Sequence, residues 1–571
     1  MKRFRETRGE RWMAGILLSL GICGAGLGQE PPTPTAAGAV VSAQPGQRTP
    51  MPLPAAQADG VHLSLSQAIG LALANNQDLN VTVAAAEASR FFLFENQGIF
   101  DPLLQASATR AHSDTPTAST LQAGTGAVVQ TSDTVDASLG VTQLTPWGGT
   151  FTLGFSGNRT ATNSAFFFVN PSYTANLSLQ ATQPLLRNFG KLATEWQIYT
   201  ARDARDAAYQ GFVQSVQATV NTVEQAYWDL AYAYENLKVK QETKDLRVEQ
   251  NRITRIKIDV GSLAPIDIVQ TEADIATAEQ DIISAEGAIG TAQDQLKRLL
   301  NVDPKNWGNA PIIPTDPVRV EQPPFDLEQG MRTALERRPE ILAQYYTVSA
   351  DETRYAYWSD QTLPRLDLVA AYGRNGLEGR TFDQNGNVIS NNNFFDAASQ
   401  IFNENFKSWK VGFVFSYPLF NRVARGQKGV AQYNLETDKA RLTVLELDVI
   451  VGVRNAHRAI NIAQRQIGAA AKGRELAERN LDAARKKFEN GMSTSFEVSQ
   501  ITNQLSDARS RELNALVIYR KAIAAYHQAI ADSLDWKGVK IEGMPEMAPP
   551  PIETRADLLR SALASDSTGA P

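Results

Sequence analysis

The sequence predicts an α+β membrane protein built from an internally duplicated chain, in which a strand-built membrane barrel continues into a long α-helical coiled coil. Three observations carry this reading. A helical hairpin recurs without a gap, two groups of roughly ten-residue segments alternate with a period of two, and the expected helices come in matched lengths. Displaced by 230 positions, residues 223–300 fall on 453–530. Val223 meets Val453, Ala226 meets Ala456, Leu246 meets Leu476, Gly261 meets Gly491, Asp267 meets Glu497, Gln270 meets Gln500 and Ala278 meets Ala508. Internal repeats decide architecture before any short motif does. An ungapped register this long keeps the helix lengths equal in both copies, as when helices must end at a common plane.

The flanks repeat at a different offset. Leu65-Ser-Gln-Ala68 falls on Leu327-Glu-Gln-Gly330, Ala72 and Leu73 on Ala334 and Leu335, Asp78 and Leu79 on Glu340 and Ile341, and Pro102 on Pro364. A third anchor sets Gln183-Pro-Leu-Leu186 against Tyr417-Pro-Leu-Phe420. Each half therefore reads as helix, Pro-marked strands, Pro-marked exit, long helix, glycine turn and return helix. The first half is longer by about thirty residues, and the excess lies among its strands.

The domain plan follows from these anchors. Residues 1–28 form a signal peptide, 29–60 a disordered Pro-rich leader, 61–300 the first repeat, 301–326 an equatorial linker, 327–534 the second repeat, and 535–571 a disordered tail. Lys2, Arg3, Arg5, Arg8 and Arg11 precede the apolar stretch 13–23, and small residues follow to Gly28, which is a secretory pattern. The only cysteine, Cys23, lies inside that signal behind Ile22, where a lipoprotein signal wants a small residue. Cleavage after Gly28 leaves no thiol for a disulfide, a zinc site or a nucleophile. A net charge of −6 without a basic stripe argues against a nucleic-acid partner. No downstream stretch is apolar enough for a helical span, so a secreted chain of this kind is soluble, surface-anchored or strand-spanning.

The strands show a dyad period. Val135, Ala137, Leu139 and Val141 alternate with Asp136, Ser138, Gly140 and Thr142. Beyond the Pro146-Trp-Gly-Gly149 turn, Phe151, Leu153 and Phe155 alternate with Thr152 and Gly154, and Tyr173, Ala175, Leu177 and Leu179 alternate with small polar residues. Residues 104–109 are a weaker fourth segment. In the second half Leu366, Leu368 and Ala370 oppose Arg365 and Asp367, while Val411, Phe413 and Phe415 oppose Lys410 and Gly412. Length and alternation match transmembrane strands, and on that pattern Leu139, Val141, Phe151, Leu153, Phe155, Leu177, Leu179, Phe413 and Phe415 are expected to face lipid. Phe166–Phe168, Tyr173, Tyr372, Trp409 and Tyr417 sit near strand ends, where interfacial aromatics belong. The joining segments 111–132 and 376–407 read as long polar loops.

The helices carry heptad seams. One runs Leu442, Leu445, Val449, Val453, Ala456, Ile460, Ala463, Ile467 and Ala470, another Ile275, Ala278, Ile282, Ala285, Ile289, Ala292, Leu296 and Leu299, and a third Ile501, Leu505, Ala508, Ala515, Tyr519, Ala522 and Tyr526. Alternating large and small residues let one side chain enter the space another leaves. The uninterrupted helices, 192–260 and 423–490, would each be about 100 Å long at 1.5 Å per residue. The shorter ones, 65–97 with 265–300 and 327–359 with 496–530, together match one long helix, which suits a wall of uniform height broken at mid-height.

At this point the chain resembles the TolC-like outer-membrane efflux protein family over residues 61–535. The resemblance rests on the duplication, the strand exits and the hairpin tips, Asp259-Val-Gly-Ser-Leu-Ala-Pro-Ile-Asp267 and Glu489-Asn-Gly-Met-Ser-Thr-Ser-Phe-Glu497. It implies a homotrimer with a β-barrel in the outer membrane and a helical tunnel across the periplasm. It also implies docking to a periplasmic adaptor protein and an inner-membrane transporter, contact with outer-membrane lipid, and passive conduction of small molecules or secreted polypeptides, with no enzymatic activity and no cofactor or metal. The tips Gly261, Ser262, Leu263, Ala264, Gly491, Met492, Ser493 and Thr494 would dock the adaptor. Glu497 matches the family's pore-facing acid, Asp267 occupies the matching place in the first repeat, and Gln500 replaces a second acid, so these three are the expected pore constriction. Family members place two strands in each half, whereas four candidates precede Pro184 here, so the extra hairpin at 134–159 either widens the barrel or projects from it. No phosphate loop, nucleophile elbow or metal-spaced His/Cys group occurs, and His62, His112, His457 and His527 are scattered. The rival class is a secreted coiled-coil stalk or adhesin, which needs no duplicated length matching.

Overall fold

The computed structural model describes residues 40–42, 60–117, 129–164, 167–301, 310–320, 325–383, 387–404, 406–545 and 547. The expected signal peptide, Cys23, Phe166, most of the leader and the end of the tail lie outside the described residues. In chain order the elements begin with β1 (Val40–Ser42), β2 (Val61–Leu63), α1 (Leu65–Asn75), α2 (Gln77–Gln97), β3 (Leu103–Pro116), β4 (Val129–Leu144), β5 (Thr150–Thr162), β6 (Val169–Pro184), α3 (Lys191–Asp259) and α4 (Asp267–Leu300). The second half adds β7 (Ile312–Pro314), α5 (Leu327–Arg337), α6 (Pro339–Asp360), β8 (Arg365–Phe382), β9 (Val388–Asn391), α7 (Phe394–Asn403), β10 (Lys407–Ser416), α8 (Arg422–Glu489), α9 (Ser495–Ala529), α10 (Ser533–Lys537) and β11 (Lys540–Glu542).

The helices form a single layer. α3 packs against α2 and α6 toward the sheet and against α4 and α9 away from it, while α8 packs against α6 and α9. The free edges of this layer are therefore α2 with α4 on one side and α8 on the other. Helices of 11, 21 and 34 residues lie along the 69 residues of α3, and helices of 11, 22 and 35 belong with the 68 of α8. The seams are buried as their period requires: Leu442, Val449, Val453, Ile460 and Ala463 from α8 pack with Tyr519, Ala522 and Tyr526 from α9.

Each short upper helix is two helices rather than one, which departs from the sequence reading. Asn76 leaves the helical region, accepts the Leu79 amide at 3.2 Å to cap α2, and donates to the Leu299 carbonyl at 3.1 Å. Pro339 opens α6 after Arg338 adopts extended geometry, as residues before proline do. These breaks fall beside the equatorial pieces. Tyr227 is fully buried there; its hydroxyl donates its one proton to the Asp316 carboxylate at 2.6 Å, lies 3.0 Å from the Leu63 carbonyl, and accepts the Thr315 and Asp316 amides. That hub holds β2 parallel to β7. The leader and tail also carry structure that was not expected of them, because β1 pairs in parallel with β11, behind α10.

The main sheet is antiparallel in the order β10-β8-β6-β5-β4-β3, with β9 paired to the outer end of β8. The extra hairpin is therefore built into the middle of the sheet, in continuous register from Leu103↔Thr142 through Leu144↔Thr150 to Thr160↔Ser172. Among the described residues no helix is long and apolar enough to cross a membrane.

Below the sheet the helical layer buries several acids. Glu87 on α2 accepts from Tyr209 at 2.6 Å, and Glu446 on α8 accepts from Tyr345 at 2.9 Å, so the acid and the phenol exchange places between the halves. Burial pushes the Asp203 carboxyl up to about 6 despite a hydrogen bond to Ser349. Burial, reinforced by a shared proton with Asp438, does the same to Asp351, also to about 6. A carboxyl whose folded value lies above its unfolded value favours the fold at low pH and loses that contribution as pH rises through the folded value. Asp203→Asn should thus melt above the parent at about pH 7.5 and together with it at about pH 4; thermal melting of the two proteins at both pH values checks this.

Candidate functional site: paired tips and a two-faced sheet

The two glycine turns are built alike. α3 ends at Asp259, Gly261 takes φ 72°, its amide donates to Ile258 at 2.9 Å, and the Ser262 amide reaches the Lys257 carbonyl at 2.7 Å. α8 ends at Glu489, Gly491 takes φ 73°, its amide donates to Phe488 at 3.0 Å, and the Met492 amide reaches Lys487 at 2.9 Å. Both are left-handed helix terminations that satisfy orphan carbonyls. A Cβ at either glycine would meet nothing within 4 Å. The requirement is the positive φ, which a side chain resists, rather than space.

The tips are joined to each other. Lys257, near the end of α3, donates its ammonium to the Phe488 and Glu489 carbonyls that end α8 and lies 4.4 Å over the Phe488 ring. It places a cation where the helix leaves its negative end. Leu263 from the first tip packs, with Leu246 and Ile253, onto Leu481, Phe488, Val498, Ile501 and Leu505 of the second hairpin. Sequence reasoning missed this lysine; its repeat partner Lys487 was the available signal.

Of the expected docking residues, Gly261, Ser262, Ala264, Gly491, Met492 and Thr494 are exposed, whereas Leu263 and Ser493 are half-buried. Thr494 caps α9 by accepting the Glu497 amide at 3.2 Å, and Ser493 donates to the Glu497 carboxylate at 2.8 Å. Glu497 and Gln500 share the exposed face of α9, with Val498 and Ser499 buried behind them. Asp267 begins α4 and is half-buried. Among the described residues no hydrogen bond or ion pair joins it to Glu497.

Register sorts the sheet into two unlike faces. Leu139↔Phe155, Phe155↔Leu177, Val141↔Leu153 and Leu153↔Leu179 are directly opposed, as are Phe413↔Leu368 and Phe415↔Leu366. The nine residues expected to face lipid therefore lie on one face. The other presents Ser138, Ser156, Asn176, Asn375 and Gly140, Gly154, Ser178, Gly373. Phe155 and Leu177 depart from the expectation in one respect. The helix α7 lies over them, burying Ala397 and Ile401 against Ala175. A side chain on Gly157 would run into Phe394, and one on Gly376 into the Ala397 carbonyl. The segment 376–407 is therefore structured rather than a plain polar loop. Its signal was present: Asn393 and Asp396 form a capping box, followed by apolar residues at helical spacing.

Lys257→Ala should release the end of α8 at a cost of about 1 kcal/mol, roughly fivefold in local opening. Hydrogen exchange at the Gly491 and Met492 amides should accelerate by about that factor, with the α8 amides near the sheet unchanged.

The sequence profile of the outer membrane efflux protein family matches residues 68–302 and 331–531. The chain is 23% identical to the outer membrane protein TolC of Escherichia coli K12 over 353 residues, which covers 61% of this chain and 67% of that protein. Among solved structures, the CmeC outer membrane channel of Campylobacter jejuni superposes with a TM-score of 0.59 at 15% identity, covering 82% of this chain and 86% of that one. The outer-membrane channel OprN gives a TM-score of 0.59 at 16% identity, covering 90% of this chain and 99% of that one. With the profile matched across both halves and the shared fold spanning sheet and helices together, the chain belongs to the outer membrane efflux protein family.

Proposed function

We propose that three copies of this chain close into a passive export duct, a transmembrane β-barrel continued by a coiled-coil tunnel. The family is one of non-enzymatic channels and places the chain in the outer membrane, reaching into the periplasm. The observation that carries the closure is that sheet and helical layer leave their free edges on the same two sides. β3 follows α2 and β10 precedes α8, and β3 and β10 end the sheet with opposite strand directions. Both edges are rich in exposed apolar side chains: Val81, Phe91, Phe92 and Phe94 on α2, and Val423, Val430, Tyr433, Val444, Leu447 and Val451 on α8. Unlike edges that meet head to tail generate a ring when the rotation closes. Six long strands in one protomer would give eighteen in the barrel.

The apolar face would then meet lipid and the Ser/Thr/Asn/Gly face would line the lumen. Leu179 is the better probe of that assignment than Leu177, because α7 covers the latter. Leu179→Arg should cost about 2–4 kcal/mol in the membrane and reduce the heat-resistant assembled form. Ser178→Arg should leave that form intact, and equal tolerance of both would overturn the facing.

The lower tips would receive a periplasmic adaptor and, through it, an inner-membrane transporter. Gly491→Pro should abolish export while assembly and membrane insertion persist, since proline cannot adopt the positive φ found there. Glu497, with Gln500 and Asp267, would form the constriction. Three Glu497 carboxylates brought together by symmetry would hold multivalent cations. In single-channel recordings Glu497→Ala should relieve block by a multivalent cation added from the periplasmic side, and Asp267→Ala should relieve it less.

A further inference from the structure

The apolar face of the sheet has two unlike borders. Followed away from the long helices, the apolar run ends at a charged residue on five of the six strands: Arg110 on β3, Asp133 on β4, Arg159 on β5, Arg374 on β8 and Lys407 on β10. Four of these five are cations. Toward the helices the same face ends in neutral residues, among them Gln143 opposite Phe151 and Gln183 opposite Leu368. The acids at the outer border are engaged: Asp133 and Asp114 hold His112 at 2.9 and 3.2 Å, Asp133 also lies near enough to feel the Arg110 and Arg159 charges, and Glu378 accepts from Asn392 at 2.7 Å and from Gln400. Lys407 and Arg374 stand directly opposite each other in register. Like charges so placed repel, and an anion between them would remove the penalty. Arg374 spends one guanidinium N–H on the Glu404 carbonyl, while its buried Nε–H has no partner among the described residues.

On β6 the face runs uncharged through Leu177, Ala175 and Tyr173, and there α7 lies across it. This helix is amphipathic in an unusual sense. It seats Ala397 and Ile401 on the sheet yet turns Phe395 and Phe402 outward at 80% and 74% exposure, with Phe406 following at 54%. Large apolar side chains directed away from the protein, at the rim of an apolar face and beside a line of cations, fit the boundary between acyl chains and headgroups.

We propose that this outer border binds phosphate-bearing anionic lipid of the outer leaflet, with α7 as an interfacial wedge. Arg110, Arg159, Arg374 and Lys407 would take headgroup phosphates, while Phe395 and Phe402 would lie among the upper acyl chains. The inference rests on the membrane-barrel reading above, and its test separates the two. With Cys23 as the only native cysteine, a Cys23→Ser chain accepts single spin labels at Phe402→Cys, Leu179→Cys or Ser178→Cys. In phosphatidylcholine vesicles containing phosphatidylglycerol, the label at 402 should contact lipid-dissolved oxygen at headgroup depth. The label at 179 should lie deeper, and that at 178 should meet a water-soluble nickel chelate. Water contact at 402 with lipid contact at 179 overturns the wedge and leaves the barrel, whereas water contact at 179 overturns the barrel itself. For the cations, phosphatidylglycerol should raise the temperature at which the assembled form is lost, relative to phosphatidylcholine alone. The combined variant R110Q, R159Q, K407Q should lose at least half of that rise; an undiminished rise overturns the headgroup assignment.

Discussion

The outer edges of β3 and β10 govern the rest of the molecule. A strand at the end of a sheet carries a row of backbone donors and acceptors with nothing to meet, and in hydrocarbon each such group costs several kcal/mol. β3 is exposed along its whole length and β10 along nearly all of it, so a single chain cannot complete its own sheet. The same holds one layer down. A wall one helix thick buries only the seams between neighbouring helices, and α2 and α8 leave apolar stripes uncovered. In the proposed ring both needs would be met by copies joining edge to edge, and the chain supplies both edges in one order because strand and helix follow each other directly.

Matched helix lengths would follow from that proposed arrangement. Neighbouring copies can meet along their full height only if every column of the wall is equally tall. A column made of stacked short helices must therefore reproduce the length of an uninterrupted one. The breaks are handled locally: Asn76 caps one junction, Pro339 opens the helix at the other, and Tyr227 ties the equatorial strands to the long helix beside them. At the far end Lys257 joins the two hairpins, so the two turns are tied to each other rather than held independently.

Much of this was legible in the sequence, and the reasons differ by element. The seams were readable because large and small residues alternate at helical period, and the apolar strand residues because period two survives wherever one face is dry. The tips were readable because a positive φ favours glycine. Strand lengths were less visible. β8 reaches Phe382 through a Gly-rich stretch and β4 starts at Val129 through Gln, Thr, Ser and Asp, whose strand character comes from a partner rather than from local preference. α7 was hidden because Asn391–Asn393 reads as polar loop, although Asn393 with Asp396 also forms the capping box that opens the helix. Lys257 could not be found by local reading, because the carbonyls it meets lie more than two hundred residues away.

The inserted hairpin bears on how the two parts of a ring would fit together. Four helices per chain at any level, spaced about 9 Å apart, give three copies a wall roughly 110 Å around. Eighteen strands spaced about 4.8 Å and tilted about 40° also enclose roughly 110 Å, whereas twelve would enclose only about 75 Å. With β4 and β5 in place the strand ring and the helix ring of such a trimer would have about equal perimeters. The chain could then pass from sheet to helix without converging, so the narrowest cross-section would be set at the glycine tips and nowhere above them.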